Sequence, residues 1–353
     1  MFRIFKITLV IGVITGLGVP ATAGTQTQAI SAFEKHVLEL TANAARDSQK
    51  VLKGTGTYQR TVGKSYVADP DNNWRIDTPE DPKDPITISN KVGMFAIRIR
   101  HEDSFIKSFS MTTGPLTYLF QGGHFTSPII KQDGSLQIVS EIQNPQASSN
   151  LIYEFNLPHS MRLVSDIDSG LILIVDAAGA MVGGIAPAWA IDADGKQVKS
   201  WYELHGNTVS QKIDTTMSGI TYPIIADPWL GFDLISKSTW AATLNPPDKY
   251  APTLNVYPSE WGRVVAAATT FPLGDLTKIA LDSMAVRAGW DETLAKTAKS
   301  ATRNPNTQSM YHQFECHFFY VSKRAPNKVS WNLDLKRRDA NFVDQALNNC
   351  NMP

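Results

Sequence analysis

Only two cysteines occur in the 353 residues, Cys316 and Cys350, and both fall in the last stretch of the chain. So few thiols exclude a disulfide-dense small scaffold and a Cys-rich zinc module. An even pair suits a chain bound for an oxidising compartment, where it would staple the C-terminal region internally. A catalytic thiol at Cys316 is the competing reading. Charged residues are scarce too, at 19%, and balance at 33 basic against 33 acidic, so no net charge draws the whole molecule onto nucleic acid or anionic membrane. Glycine (23) and proline (20) are too few for a collagen-like or linker-dominated architecture. A Gly-x-Ser-x-Gly elbow, a phosphate-cradling glycine loop and a dinucleotide fingerprint are all missing, so neither a cofactor nor a dinucleotide partner is expected. His312 and His317 stand five apart, matching neither the helical His-Glu-x-x-His motif nor a His-x-His strand pair, and no metal site is expected.

What is present is a 42% apolar chain with length for about two domains of ~100–200 residues each. Arg3 and Lys6 precede an apolar run from Ile7 to Val19, and Pro20 leads into Ala21-Thr22-Ala23. This is the pattern of a secretory signal peptide cleaved after Ala23. The run is shorter than the roughly 20 residues a membrane span needs. The expectation is a mature chain from Gly24, secreted or periplasmic, with no transmembrane segment.

Residues 29–53 read as one amphipathic helix, with Ile30, Phe33, Val37, Leu40, Ala44, Val51 and Leu52 near helical spacing. The stretch 66–85 carries six acidic residues against two basic ones and several Asp-Pro or Thr-Pro pairs, which reads as a solvated linker. From Ile86 the period changes to two, in runs such as Phe95-Ala-Ile97-Arg-Ile99 and Leu151-Ile-Tyr153-Glu-Phe155, with Asp133-Gly134 and Asp194-Gly195 as turns. Short alternating strands at this spacing predict an antiparallel β-sandwich-like domain over 86–230. A linker is expected over 231–254, then a smaller disulfide-closed α+β domain over 255–353. The fold class is α+β overall, with an N-terminal helix ahead of the β domain.

The densest group of reactive side chains is Tyr311-His312-Gln313-Phe314-Glu315-Cys316-His317. Taking Ser309 to Val321 as a strand, Gln313, Glu315 and His317 share one face and Cys316 lies on the other. Glu315 and His317 would then be an acid–base pair with Gln313 orienting a substrate, and His312, Asn332 and Arg338 flanking it for binding. On that reading His317→Ala and Glu315→Gln abolish activity while leaving the fold intact. The alternative is a polar sheet face beside a basic tail: from Lys296 onward nine basic residues face four acidic ones, which suits an anionic or envelope-associated target.

Trp261-Gly262-Arg263, Gly289-Trp290, Gln313-Phe314-x-Cys316-His317, Trp331-Asn332-Leu333-Asp334 and Cys350-Asn351 occur in one order. Together they resemble the C-terminal module of secreted bacterial proteins grouped as domain of unknown function family 2599, over roughly 255–352. Leu335-Lys336-Arg337-Arg338 stands where an aromatic-Arg-Pro turn would follow the Asn-Leu-acid motif. The middle region, with Ala188-Trp189-Ala190-Ile191-Asp192 and Tyr222-Pro223-Ile224-Ile225-Ala226-Asp227-Pro228, is similar to a β-rich module found upstream of variable C-terminal domains in exported bacterial proteins. The resemblance implies a secreted module without assigned catalytic residues. Two functions are expected from it: a toxin-like effector presented by the β domain, or a non-catalytic envelope or periplasmic binding or adhesion protein.

Overall fold

The computed structural model describes residues 55–110, 114–241, 249–269, 276–350 and 352. The expected signal segment and N-terminal helix lie outside them. Two antiparallel sheets face each other. The first has eight strands in the order β1 (Gln59–Thr61), β2 (Lys64–Asp69), β3 (Trp74–Pro79), β4 (Ile86–Asn90), β5 (Gly93–Arg100), β10 (Asn150–Asn156), β16 (Thr208–Ile213) and β15 (Ser200–His205). The second runs β11 (Arg162–Ser165), β12 (Ile172–Val175), β13 (Met181–Ile185), β18 (Trp229–Gly231), β9 (Leu136–Ile142), β8 (His124–Ile130), β7 (Leu116–Phe120) and β6 (Phe105–Ser110). β17 (Ile224–Asp227) pairs with β9 and with β14 (Trp189–Ile191).

Alternation decides what each strand buries. Ile86, Ile88, Phe95, Ile97, Tyr153 and Val209 point from the first sheet toward Tyr118, Phe120, Ile130, Leu136, Ile138 and Ile142 of the second, forming one apolar core. The stretch 66–85 departs from the expected linker. Val67 and Ile76 are buried in register with each other, so β2 and β3 join the first sheet. Its acidic residues serve the hairpin: the Asp69 carboxylate accepts from the backbone N–H groups of Asp71 and Asn72, and Asp77 pairs with Lys64 and Arg75 at 2.9 and 2.7 Å. Two inward apolar residues outweigh the loop signals around them.

The C-terminal domain has a three-stranded sheet, β19 (Ile235–Trp240), β20 (Thr253–Pro258) and β21 (Trp331–Asp334). β19 thus belongs to this domain and lies in what the sequence presents as linker. Against the sheet pack α1 (Glu260–Ala268), α2 (Leu276–Lys296), α3 (Gln308–Cys316) and α4 (Phe342–Leu347), with α3 running on through a π-helical turn, His317–Val321, into Ser322–Arg324. Ser259, Thr307 and Asn341 cap α1, α3 and α4 through side-chain oxygens. No helix among the described residues is long and apolar enough to cross a membrane.

The two domains share a core. Leu171, Leu173, Val175 and Met181, on the outer face of the second sheet, pack in one cluster with Trp261, Trp290, Phe314 and Trp331. The approach is close at two glycines. A Cβ on Gly231 would fall 2.3 Å from the Trp261 ring, and one on Gly262 would fall 2.0 Å from the Leu234 carbonyl oxygen. The Trp261 indole N–H donates to the Trp229 carbonyl at 3.3 Å.

Several titratable groups are buried, and they set a pH dependence. Burial pushes Glu141 up to about 8 and Asp227 up to about 7, against hydrogen bonds from Gln143 and Gln137 respectively. In the unfolded chain these carboxyls titrate near 4. The folded state therefore holds more protons between those values, and stability falls as pH rises through the window. Below about 6.5, buried neutral His101, His124 and His317 oppose this, because burial lowers their pKa values and the unfolded chain takes up protons first. Above about 8 the buried Lys131 acts in the other direction, since its ammonium is pulled down to about 8. Glu292, pushed up to about 7 as well, adds to the effect, so the expected result is a loss of about 3 kcal/mol between pH 6.5 and 8, measured by urea unfolding and roughly halved by Glu141→Gln. Constant or increasing stability across that interval would contradict it.

Candidate functional site: a cleft between the domains

The expected acid–base face does not form, because Gln308–Cys316 is helical and not a strand. The run alternates, but Met310, Phe314, Phe318 and Val321 also recur at helical spacing, and all four are buried. Thr307 supplies the cap that starts the helix, and packing against β21 settles the ambiguity. Gln313 turns inward. Its amide nitrogen donates to the Asp334 carbonyl at 3.0 Å and its oxygen accepts from the Asp334 N–H at 2.8 Å, pinning α3 to β21. His317 is fully buried, with Nδ1 donating to the Gln313 carbonyl at 2.8 Å and Nε2 3.3 Å from the Lys328 ammonium. Burial, with the Lys328 charge, pulls its pKa down to about 3, so the ring is neutral at physiological pH and offers no acid.

Glu315 lies with His312 on the outer side of α3, three residues apart. Burial raises the Glu315 pKa while His312 opposes the rise. His312 bonds Asp339 at 2.7 Å and Gln308 at 2.8 Å. Asn332 donates to Asn255 across the sheet at 2.8 Å, and Arg338 is exposed in the turn after β21. Cys316 and Cys350 form the expected disulfide, with both residues buried. Much of the basic tail is spent inside the domain: Arg337 binds Asp334 and the Met352 carbonyl, Lys323 the Thr269 carbonyl, and Arg324 the Tyr320 hydroxyl. His317→Ala is accordingly expected to lower stability by about 2–4 kcal/mol through the cavity it leaves. Glu315→Gln should change it by less than about 0.5 kcal/mol. Equal melting temperatures for wild type and His317→Ala would refute the buried role.

A concave feature lies elsewhere. A cleft of about 690 Å³ opens where the β domain meets the C-terminal domain. One wall is Lys91 and Val92 from the β4–β5 turn, with the β12–β13 turn from Ala178 to Val182 and Phe232 beyond it. The other is one face of α2, where Met284, Ala288, Asp291, Glu292 and Ala295 recur at helical spacing, closed by Tyr311 of α3. The lining is mainly apolar, with Lys91, Arg287, Asp291 and Glu292 as its charged residues.

Lys91 and Glu292 of the lining belong to a charge chain that ties the domains together. Asp233 bridges Lys91 at 2.7 Å and Lys296 at 2.9 Å. Burial opposes its charge, but the two ammonium groups hold the carboxyl below the usual carboxylate range. Beside it, Glu292 accepts from the backbone N–H groups of Leu234 at 3.1 Å and Ile235 at 2.9 Å, with Lys296 3.6 Å away. Burial and the neighbouring Asp233 push Glu292 up to about 7 despite these partners. Its side chain keeps 17% of its surface exposed. Arg287 and Asp291, also in the lining, are exposed and stand 3.6 Å apart. Among the described residues no group of three or more His, Cys, Asp or Glu side chains is arranged to hold a metal ion.

With the fold and this geometry in place, comparison with known proteins bears on the C-terminal part of the chain. Residues 235–353 match the family described as Protein of unknown function (DUF2599). The DUF2599 match begins at β19, which agrees with the sheet boundary and not with the later start expected from the motifs. Uncharacterized proteins of Mycobacterium bovis and of Mycobacterium tuberculosis are each 32% identical to this chain over 100 residues, 28% of this chain and 56% of the relative. The chain thus spans about half the length of these curated relatives. No solved structure matches it. The DUF2599 region supplies α2 and Tyr311 to the cleft, and the β domain supplies the facing wall.

Lys91, Asp233 and Glu292 are not distinguished in the sequence. The pairs Arg287/Asp291 and Glu292/Lys296 have the spacing of ordinary surface helix ion pairs. Only the packing of α2 against the β domain turns one of them inward.

Proposed function

We propose that the protein is an exported, non-catalytic binding protein that holds a mainly apolar ligand with a polar end in the interdomain cleft. The observation that carries this reading is the cleft itself: apolar walls from both domains, with the Glu292 carboxyl in its lining. Concave, largely apolar sites with a few convergent polar groups are where small ligands bind. The effector alternative rests on the export signal, the domain order and the basic tail, much of which is engaged inside the C-terminal domain by Asp334, the Thr269 carbonyl and the Tyr320 hydroxyl. Export is supported by the Cys316–Cys350 disulfide and by the apolar run that precedes Ala21-Thr22-Ala23. The test uses 1-anilinonaphthalene-8-sulfonate as an apolar probe on the full mature chain. Saturable binding at one site is expected, weakened at least about tenfold by Ala288→Trp, which fills the cleft with an indole. Unchanged affinity in Ala288→Trp would overturn the assignment.

A further inference from the structure

Each charged side chain in the cleft lining already has an opposite partner. Lys91 pairs with Asp233 at 2.7 Å, Arg287 with Asp291 at 3.6 Å, and Glu292 with Lys296 at 3.6 Å. An ionic ligand would enter between apolar walls with no counter-charge left for it, or would have to take one from these pairs. Taking Lys91 from Asp233 would undo a bridge between the two domains. The pairing favours an uncharged ligand.

Glu292 is held differently from the other three. Its two oxygens accept from the Leu234 and Ile235 N–H groups, which fixes the carboxyl in place. It has no ammonium to itself, because Lys296 stands 2.9 Å from Asp233 as well. A carboxyl with little water and a second carboxylate beside it takes up a proton easily, and here the pKa is pushed up to about 7. The protonated group carries one O–H donor. The groups that contact Glu292 among the described residues are themselves donors, so that proton has no acceptor except water or a ligand. An apolar ligand over the carboxyl removes more water and favours the neutral form further. Other charges near α2 are engaged elsewhere. Lys237 of β19 lies over the Tyr257 ring, Arg263 of α1 stands beside Glu260 and binds the Lys328 carbonyl, and His312 of α3 pairs with Asp339 and faces Glu315. β13 carries no titratable side chain.

We propose that the cleft takes an uncharged amphiphile whose polar end is a hydrogen-bond acceptor, such as an ester or ketone oxygen, and that Glu292 meets it as a protonated carboxyl, with one proton taken up as the ligand binds. This rests on the cleft reading above and adds the ligand class and its control by pH. Where the free protein already holds the proton, affinity is highest. As pH rises through about 7, binding must draw a proton from solution, and affinity falls. Mildly acidic medium loads the cleft and alkaline medium empties it.

The test is calorimetric titration of the full mature chain with 2-acetylnaphthalene, which is uncharged and ends in a ketone, in buffers of different ionisation heat. Uptake of between about half a proton and one is expected near pH 7.5, with affinity falling about tenfold from pH 6.5 to 8.5. Glu292→Gln keeps a donor on its amide and should bind without proton uptake and without the pH dependence. The anion 2-naphthoate, with the same rings, should bind at least about tenfold more weakly than the ketone, and 1-anilinonaphthalene-8-sulfonate more weakly than its uncharged parent. Binding that Ala288→Trp weakens but that takes up no proton in wild type would overturn this proposal and leave the cleft reading standing. So would equal affinity for 2-naphthoate, or a pH dependence that persists in folded Glu292→Gln. Absence of binding by either naphthyl probe, or binding that Ala288→Trp leaves unchanged, would remove the cleft reading and this proposal with it.

Discussion

Replacing Cys316 and Cys350 together by alanine is expected to lower the unfolding free energy by about 4 kcal/mol, the chain-entropy value for a loop of this size. The bridge spans 34 residues and ties the end of α3 to the turn after α4, where Asn349 and Cys350 adopt left-handed conformations at φ 52° and 60°. The Cys350 N–H donates back to the Gln345 carbonyl at 2.7 Å, so the staple closes a turn that is already hydrogen-bonded. Read from the sequence alone, a bridge wholly inside the C-terminal domain would loosen only that domain. The shared cluster changes this expectation, because Cys316 and Cys350 belong to the same core as Leu173 and Val175 of the second sheet. Urea unfolding followed by tryptophan fluorescence and far-ultraviolet circular dichroism should show one transition that moves as a whole. A loss below about 1 kcal/mol, or a separate early transition with the β signal unmoved, would contradict the shared core.

Trp261→Ala is expected to cost a similar amount, about 3–5 kcal/mol, by emptying the centre of the interdomain contact. Trp261 is 1% exposed, lies against Gly231 and hydrogen-bonds the Trp229 carbonyl, so its indole touches both domains. The loss has a second consequence. The cleft has one wall on each domain, so a variant that loosens their docking should also lose probe binding, although Trp261 does not line the cleft. Limited proteolysis should find a new cleavage site between Gly231 and Leu234. Full stability and unaltered probe affinity in Trp261→Ala would mean that the domains dock without it.

The β domain and the disulfide were largely legible in the sequence, for identifiable reasons. Alternation in 93–100 and 150–156 is strong, and turns such as Asp133-Gly134 need the positive φ that glycine supplies, here 77°. The 66–85 stretch was misleading because turn residues outnumber the two inward side chains that decide its fate. Ser309 to Val321 satisfies both periods, and only the Thr307 cap and the contact of Gln313 with Asp334 select the helix. That choice dissolved the expected site, sending His317 and Gln313 into the core and leaving Glu315 with His312 outside. The cleft was not legible at all. Lys91, Met181, Glu292 and Tyr311 are brought together by domain packing, and no local pattern marks any of them.

The most direct test of the cleft as the binding site is a methyl spectrum of the mature chain labelled at methionine, recorded during titration with 1-anilinonaphthalene-8-sulfonate. Met181 lies on the β-domain wall and Met284 on the α2 wall, while exposed Met94 and Met217 lie outside the cleft. The account expects the Met181 and Met284 signals to shift together along a single binding curve, with Met94 and Met217 still. Shifts at Met94 or Met217 with Met181 and Met284 unmoved would place binding elsewhere and contradict it.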